Sequence, residues 1–220
     1  MSPEPVDWNQ FRKAYYRTVG ATVTKALTAN GFNAAYAETR EEAVHAVLSL
    51  VPECASVGIP GSVTIRELGL PEILEARGNR VIQHWDPTLS AEERAQRLNE
   101  ELASDFFLTS SNAVTLSGEL VNIDGTGNRV AGMAWAKSRI CFVIGINKVS
   151  RNVESALQRI RDWATPINGI RLGMDLPCVQ AGFCVDCKVP QRACRAVSIL
   201  EKAPYGRDAH VILVGETLGY

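Results

Sequence analysis

The sequence predicts an α/β fold: a mainly parallel, Rossmann-like sheet with helices on both faces, plus a small cysteine-rich insertion near the C-terminus. Three observations carry this. Short apolar runs alternate with amphipathic segments along most of the chain, and helices covering both faces of a parallel sheet produce that alternation. The length of 220 residues, with 46% hydrophobic and 21% charged residues, is that of one ordinary globular domain spanning 1–220. One stretch, 177–195, breaks the pattern with four cysteines and little apolar periodicity.

The elements follow in order. Trp8, Phe11, Tyr15, Val19, Val23 and Leu27 recur at steps of three and four, an apolar helical stripe that Asn30-Gly31 stops. Phe32 to Ala37 reads as a short strand. Thr39 with Glu42 makes a capping box, opening a helix through Ala43, Val44, Val47, Leu48 and Val51 that Pro52 closes. Ala55 to Ile59 is a strand, Pro60-Gly61-Ser62 a turn, and Arg66 to Leu68 helical. Arg80 to His84 is a strand, and Ser90 with Glu93 caps a helix to about Ala103. Phe106 to Leu108 is strand-like, Leu116 to Val121 a tight turn feeding a strand, and Gly132 to Lys137 helical. Arg139 to Ile144, rich in β-branched residues, is the clearest buried strand. Asn152 to Trp163 gives an amphipathic helix, and His210 to Val214 the last strand.

Charge and composition exclude several functions. Lys and Arg number 23 against 24 Asp and Glu, a net charge of −1, so no cation excess serves a nucleic-acid backbone. No apolar run approaches the ~20 residues of a membrane helix, and MSPEPVDW lacks a signal-peptide pattern. A cytoplasmic protein is expected, in which six cysteines serve as thiols or metal ligands rather than disulfides.

Cys178, Cys184, Cys187 and Cys194 form C-x5-C-x2-C-x6-C. Four thiolates can anchor an iron–sulfur cluster or complete a tetrahedral zinc site. Zinc ribbons usually carry two C-x2-C knuckles, and one is present here, so the uneven gaps suit a cluster, of the 4Fe-4S kind, better. Zinc and free redox thiols are the alternatives. Lys188, Arg192 and Arg195 add positive charge nearby, as offset to a thiolate cluster or as solvated surface charge. Cys54 and Cys141, in apolar surroundings, read as inert core residues.

Two loops suit a ligand. Val57 to Thr64 runs from strand to helix, and Gly61, Ser62 and Thr64 offer close backbone approach and hydroxyl donors to a phosphate or carboxylate. It is neither a Walker A motif nor a dinucleotide fingerprint. Polar Ser111 and Asn112 follow an apolar strand, and residues 119–129 then concentrate Glu, Asn, Asp, Thr and Arg. Strand alternation puts Asn122 and Asp124 on one side; Gly125 and Gly127 flank Thr126, and Asn128 and Arg129 suit a carboxylate or phosphate. The bland reading is Asx turns and a helix N-cap. His45, His84 and His210 read as structural, and no hydrolase motif is present.

These segments resemble the LUD-domain (lactate utilization) family: GIPGSVTIRELGL (58–70), DFFLTSSNAVTLSGELVNIDGTGNRVAG (105–132), VIGINKV (143–149), RIRDWATPINGIRL (159–172), PCVQAGFCVDCKVPQRACR (177–195) and HVILVGETLG (210–219). The resemblance runs from about residue 8 to the end, and the cysteine segment marks the subgroup with four C-terminal cysteines. It implies a fold akin to the ribose-5-phosphate isomerase and coenzyme A transferase superfamily. Gly58 to Thr64 would then be the phosphate- or coenzyme-binding turn, facing Asn122 to Arg129 across a cleft. The function implied is an iron–sulfur-binding component of lactate or related organic-acid oxidation, possessing electron-transfer or small-carboxylate chemistry. Its partners would be a small carboxylate or phosphorylated metabolite, a redox protein and further copies of itself. Two alternatives stand beside it: a transferase or isomerase with structural zinc, using Asp124 and Glu67 as acid–base groups, and a non-catalytic metabolite-binding subunit.

Overall fold

A computed structural model describes residues 6–135 and 139–220. The chain runs α1 (Trp8–Ala29), β1 (Asn33–Ala37), α2 (Arg40–Leu50), β2 (Ser56–Gly58), α3 (Val63–Glu67), α4 (Leu70–Ala76), β3 (Arg80–Ile82) and α5 (Ala91–Ala103). It continues with β4 (Phe106–Thr109), β5 (Ala113–Thr115), β6 (Leu120–Asp124), α6 (Asn128–Trp135), β7 (Arg139–Gly145), β8 (Val149–Ser150) and α7 (Val153–Arg159). After a π-helical turn, Ile160–Ala164, come α8 (Thr165–Arg171), α9 (Pro177–Ala181), β9 (Ala196–Leu200) and β10 (Asp208–Val214).

Six strands form one sheet in the order β1-β10-β7-β4-β2-β3, and each neighbouring pair is parallel. β7 shows why both faces are covered. Cys141 and Val143 join a core with Ala43, Val47, Ile65 and Leu74 of α2, α3 and α4. Ile140, Phe142 and Ile144 join the opposite core with Val23 and Leu27 of α1 and Met133 of α6. Period-two alternation therefore feeds two separate hydrophobic layers, and the expected fold class holds.

The sequence does not reveal a second sheet, β8-β5-β6-β9. β5 and β6 form an antiparallel hairpin, closed at the predicted turn by Gly118 at φ 88°. β6 also pairs antiparallel with β9, Asp124 opposite Ala196, which brings the end of the cysteine segment onto the hairpin. α7 and the π turn cover this sheet through Ala156, Ile160 and Ala164.

Other differences have local causes. The Asn152–Trp163 helix continues to Arg171 because the turn before Pro166 widens, the Thr165 amide bonding to Ile160 O. A proline inside an α-helix removes one bond and clashes with the preceding turn, and a π turn accommodates it. The helix expected over 132–137 starts at Asn128; Lys137 lies outside the described residues. At Ser90 both halves of the capping box form. At Thr39 the hydroxyl accepts from the Glu42 amide at 3.3 Å, but the Glu42 carboxylate takes the Glu38 amide instead. Of the α1 stripe, Val23 and Leu27 are buried, whereas Trp8, Phe11 and Tyr15 are exposed. Cys141 is buried, its thiol pushed up to about 12 by burial. Cys54 corrects the sequence reading: it is exposed, on a left-handed turn at φ 61°. Among the described residues no helix is long and apolar enough to cross a membrane.

Candidate functional site

The carboxyl ends of β2, β3 and β4, the residues leading out of β7 and the π turn enclose a cleft of about 440 Å3. Ligands of open α/β sheets characteristically bind at such strand ends. The glycine loop forms one wall. Gly61 has φ 82°, and a Cβ there would sit 2.6 Å from Trp85 Nε1, so only glycine fits without displacing the indole. Ser62 caps α3 through a bond from the Ile65 amide at 3.4 Å. Two guanidinium groups pack over the Trp85 ring, Arg66 at 3.9 Å and Arg171 at 4.7 Å from its centroid, contacts that orient both cations.

Lys148 stands at the base. It is 3% exposed and donates to Thr64 Oγ1 at 2.8 Å and Ser110 Oγ at 3.1 Å. No carboxylate of the described residues forms an ion pair with it. Burial pushes its ammonium down to about 7; Arg159 and Arg129 add to the depression and Glu67 opposes it. A buried charge without a counter-ion is costly, and here a bound anion would supply the missing partner. Sequence reasoning missed this residue: one lysine following a strand has no spacing signal, and its burial arises only when α3, β4 and the C-terminal tail close around it.

The opposite wall is the loop after β6. Asp124 accepts from the Gly125, Arg129 and Val130 amides at 2.8, 2.9 and 3.3 Å and from Arg129 Nη2 at 3.2 Å. Burial pushes its carboxyl up, but Arg129 and these bonds outweigh that and hold it below the usual carboxylate range. Asp124 thus caps α6 and orients Arg129; a fully engaged, readily ionised carboxylate is a poor proton carrier at neutral pH. Gly125, Thr126, Asn128 and Arg129 line the cleft, as do Gly61, Ser62, Thr64, Ser111 and Asn112. Three sequence candidates do not. Asn122 is buried behind the wall, its Oδ1 accepting from the Asn112 amide at 2.8 Å and Ser111 Oγ at 3.2 Å. Gly127, at φ 94°, is outside the lining, as is Glu67, which accepts from the Gly219 amide at 2.6 Å. His84 and Trp85 line the cleft although the sequence marked His84 as structural.

The charge balance of the lining decides what it attracts. Among the described lining residues, Arg129, Lys148, Arg171, Arg192 and Arg195 stand against one carboxylate side chain, Asp124. A concave surface of that sign concentrates anions.

Arg192, Ala193 and Thr165 also belong to the wall of a second, smaller cavity. Cys178, Cys184, Cys187 and Cys194 all line it, with Arg161, and all four are free thiols. In Cys184-Val185-Asp186-Cys187, Asp186 adopts φ 45° and its amide donates to Cys184 Sγ at 3.4 Å. The Cys184 amide donates to Asp162 Oδ1 at 3.1 Å, tying the knuckle to the π turn. Arg192 donates to Asp186 Oδ1 at 3.0 Å, to Cys194 O at 2.9 Å and to Cys187 O. Thr165 Oγ1 lies 3.6 Å from Cys194 Sγ. Burial, then the neighbouring thiols, push the Cys178 thiol up. Among the described residues, no group of three or more His, Cys, Asp and Glu side chains is arranged to hold a metal ion. The sulfurs nevertheless share one cavity beside two guanidinium groups, a donor set of the right chemistry for a thiolate-bound group.

No curated protein matches the chain. The crystal structure of a DUF162 family protein from Deinococcus radiodurans superposes on 96% of this chain and 99% of that chain, at 14% identity and a TM-score of 0.49. The LUD domain model matches residues 21–214, from α1 through β10. The chain belongs to the LUD domain family, and through it is associated with lactate utilization in the broad sense.

Proposed function

We propose that this protein is an iron–sulfur-binding component of lactate or related 2-hydroxy-acid utilization, of the four-cysteine kind within its family. One observation carries the reading: the cationic cleft and the four-thiol cavity share the wall Thr165, Arg192 and Ala193. In this reading Cys178, Cys184, Cys187 and Cys194 hold a cluster of the 4Fe-4S kind, which the uneven cysteine spacing supports over zinc. A bound cluster supplies one-electron transfer. Arg161 and Arg192 offset the negative charge of the thiolates, and the Asp186 amide stabilises the Cys184 sulfur by its N–H···S bond.

The cleft residues bind and orient the acid. Lys148, presented by Thr64 and Ser110, receives one oxygen of the carboxylate. Arg129, held by Asp124, offers a planar fork to a second oxygen. Arg171, pinned against Trp85, closes the outer side. A three-carbon acid fills only part of such a volume, so water or a longer chain occupies the remainder.

The test is spectroscopic. Protein purified without oxygen should be brown, with the broad visible absorption of a thiolate-held iron–sulfur cluster. Saturating lactate should change its visible and paramagnetic-resonance spectra, because the ligand sits one wall away. Cys187→Ala should abolish the colour. A colourless protein holding one zinc per chain, or a brown one whose spectra ignore bound lactate, would overturn the reading.

A further inference from the structure

α5 raises a separate question. Over its thirteen residues the sole buried one is Glu101, with 0% of its side chain exposed. A surface helix normally buries an apolar stripe, and this one buries a carboxylate. The close fit is built in: a Cβ on Gly58 would lie 2.3 Å from Glu101 O, so the glycine of β2 lets the helix end approach the sheet. Glu101 Oε1 lies 2.7 Å from His84 Nδ1. His84 follows β3, retains 17% side-chain exposure and lines the cleft. Its ring packs edge-on to Trp85 with centroids 6.4 Å apart. Asn128 stands beside the Glu101 carboxylate, and its side chain opposes the upward push of burial there.

We infer that His84 is the proton acceptor of the cleft, facing the hydroxyl of a bound 2-hydroxy acid through Nε2, with Glu101 as the residue that positions its ring. The inference rests on the carboxylate-cleft reading above. A carboxylate accepting Nδ1–H fixes the tautomer that leaves Nε2 with a lone pair. No described residue hydrogen-bonds Nε2. In the step assigned to the pair, the ligand O–H bond breaks as the Nε2–H bond forms. The Nδ1 proton stays on the ring, and the Glu101 charge offsets the imidazolium. No electron passes to or from the pair. Burial pushes the Glu101 carboxyl up, and the bond from His84 opposes that. The competing arrangement is therefore a protonated Glu101 donating to Nδ1, which leaves Nε2–H as a donor and no base in the cleft.

Nitrogen NMR of the protein carrying nitrogen-15-labelled histidine separates the two. The chain has 3 histidines, and the His84→Gln variant identifies which signals belong to position 84. The expected result at neutral pH is a protonated Nδ1 and an unprotonated Nε2, with the Nε2 resonance moving on titration with D- or L-lactate. In Glu101→Leu, checked for folding by its melting curve, the ring should revert to the Nε2–H form that free histidine favours. If that variant fails to fold, the unsubstituted protein decides alone. An Nε2–H tautomer in the unsubstituted protein overturns the inference, as does a Nδ1–H tautomer that persists in Glu101→Leu. Lactate that binds by calorimetry yet leaves the His84 signals unmoved overturns this assignment and spares the cleft. No binding by either lactate enantiomer or glycolate overturns the carboxylate reading and this assignment with it.

Discussion

Replacing Lys148 by methionine tests whether the cleft is built around an unpaired charge. Methionine keeps the length and apolar stem and deletes the ammonium. The folded-state value of about 7 against the ordinary 10.5 means the unfolded chain binds more protons throughout that interval, so native stability rises with pH across it. Below pH 7 both states are protonated and the full burial penalty applies. Above 10.5 neither is, and the penalty is gone. At about 1.36 kcal/mol per unit, the charge costs roughly 5 kcal/mol at pH 6 and about 1 at pH 10. Lys148→Met also loses two hydrogen bonds and leaves Thr64 and Ser110 without their donor, costs that do not depend on pH. The difference between pH 6 and pH 10 in the variant's stability relative to the parent therefore isolates the charge, and should be about 4 kcal/mol in the variant's favour at the lower pH. Urea denaturation followed by tryptophan fluorescence at both values measures it. A difference under about 1 kcal/mol, or one of opposite sign, would show that Lys148 is not held as a costly cation, and the argument for an anion at the base of the cleft would fall with it.

Further outcomes follow from the same geometry. Anion binding by the parent should weaken as pH rises through about 7, because the free protein loses the Lys148 proton there; calorimetry with lactate or inorganic phosphate at pH 6 and 8.5 reads this, and a flat profile contradicts it. Asp124→Ala should destabilise the fold by about 3 kcal/mol, since it strips Arg129 and the start of α6 of their acceptor. The Asp124 contribution is present above the ordinary carboxylate range and is lost only as pH falls through the lowered folded value, so the parent and Asp124→Ala should converge in stability at low pH. Gly61→Ala should cost about 1–2 kcal/mol from its left-handed backbone alone, and the clash with Trp85 should shift the tryptophan emission and weaken anion binding; unchanged emission would refute the close packing.

How much of this could be read from the sequence depends on the range of the interactions. β7 and β10 announce themselves by continuous β-branched runs, because a strand covered on both faces is apolar throughout. The Ser90–Glu93 capping box is local chemistry and forms as read. The two loops around Gly61 and Asn128 were legible because small and polar residues after a strand have few uses besides turns and ligand sites. β5 and β9 were not: they are short, and β9 pairs with β6 across some seventy residues of chain. Asn122 and Asp124 looked like ligand groups, yet the backbone claims them. The wall needs acceptors for the Asn112, Gly125, Arg129 and Val130 amides, and a motif cannot distinguish a side chain serving a ligand from one serving the main chain. Lys148, His84 and Glu101 are the converse case. Lys148 and Glu101 carry no signal in the sequence and His84 reads there as structural; their places under and beside the cleft emerge only in the folded assembly.

The thiol cavity and the cationic cleft share one wall, across which the proposed cluster and an organic acid would meet. Iron and acid-labile sulfide analysis of the chain purified without oxygen decides whether a cluster is there. About four of each per chain are expected, both lost in Cys187→Ala. Zinc in place of iron, or no metal at all in an anaerobically handled and correctly folded preparation, would contradict the cluster reading.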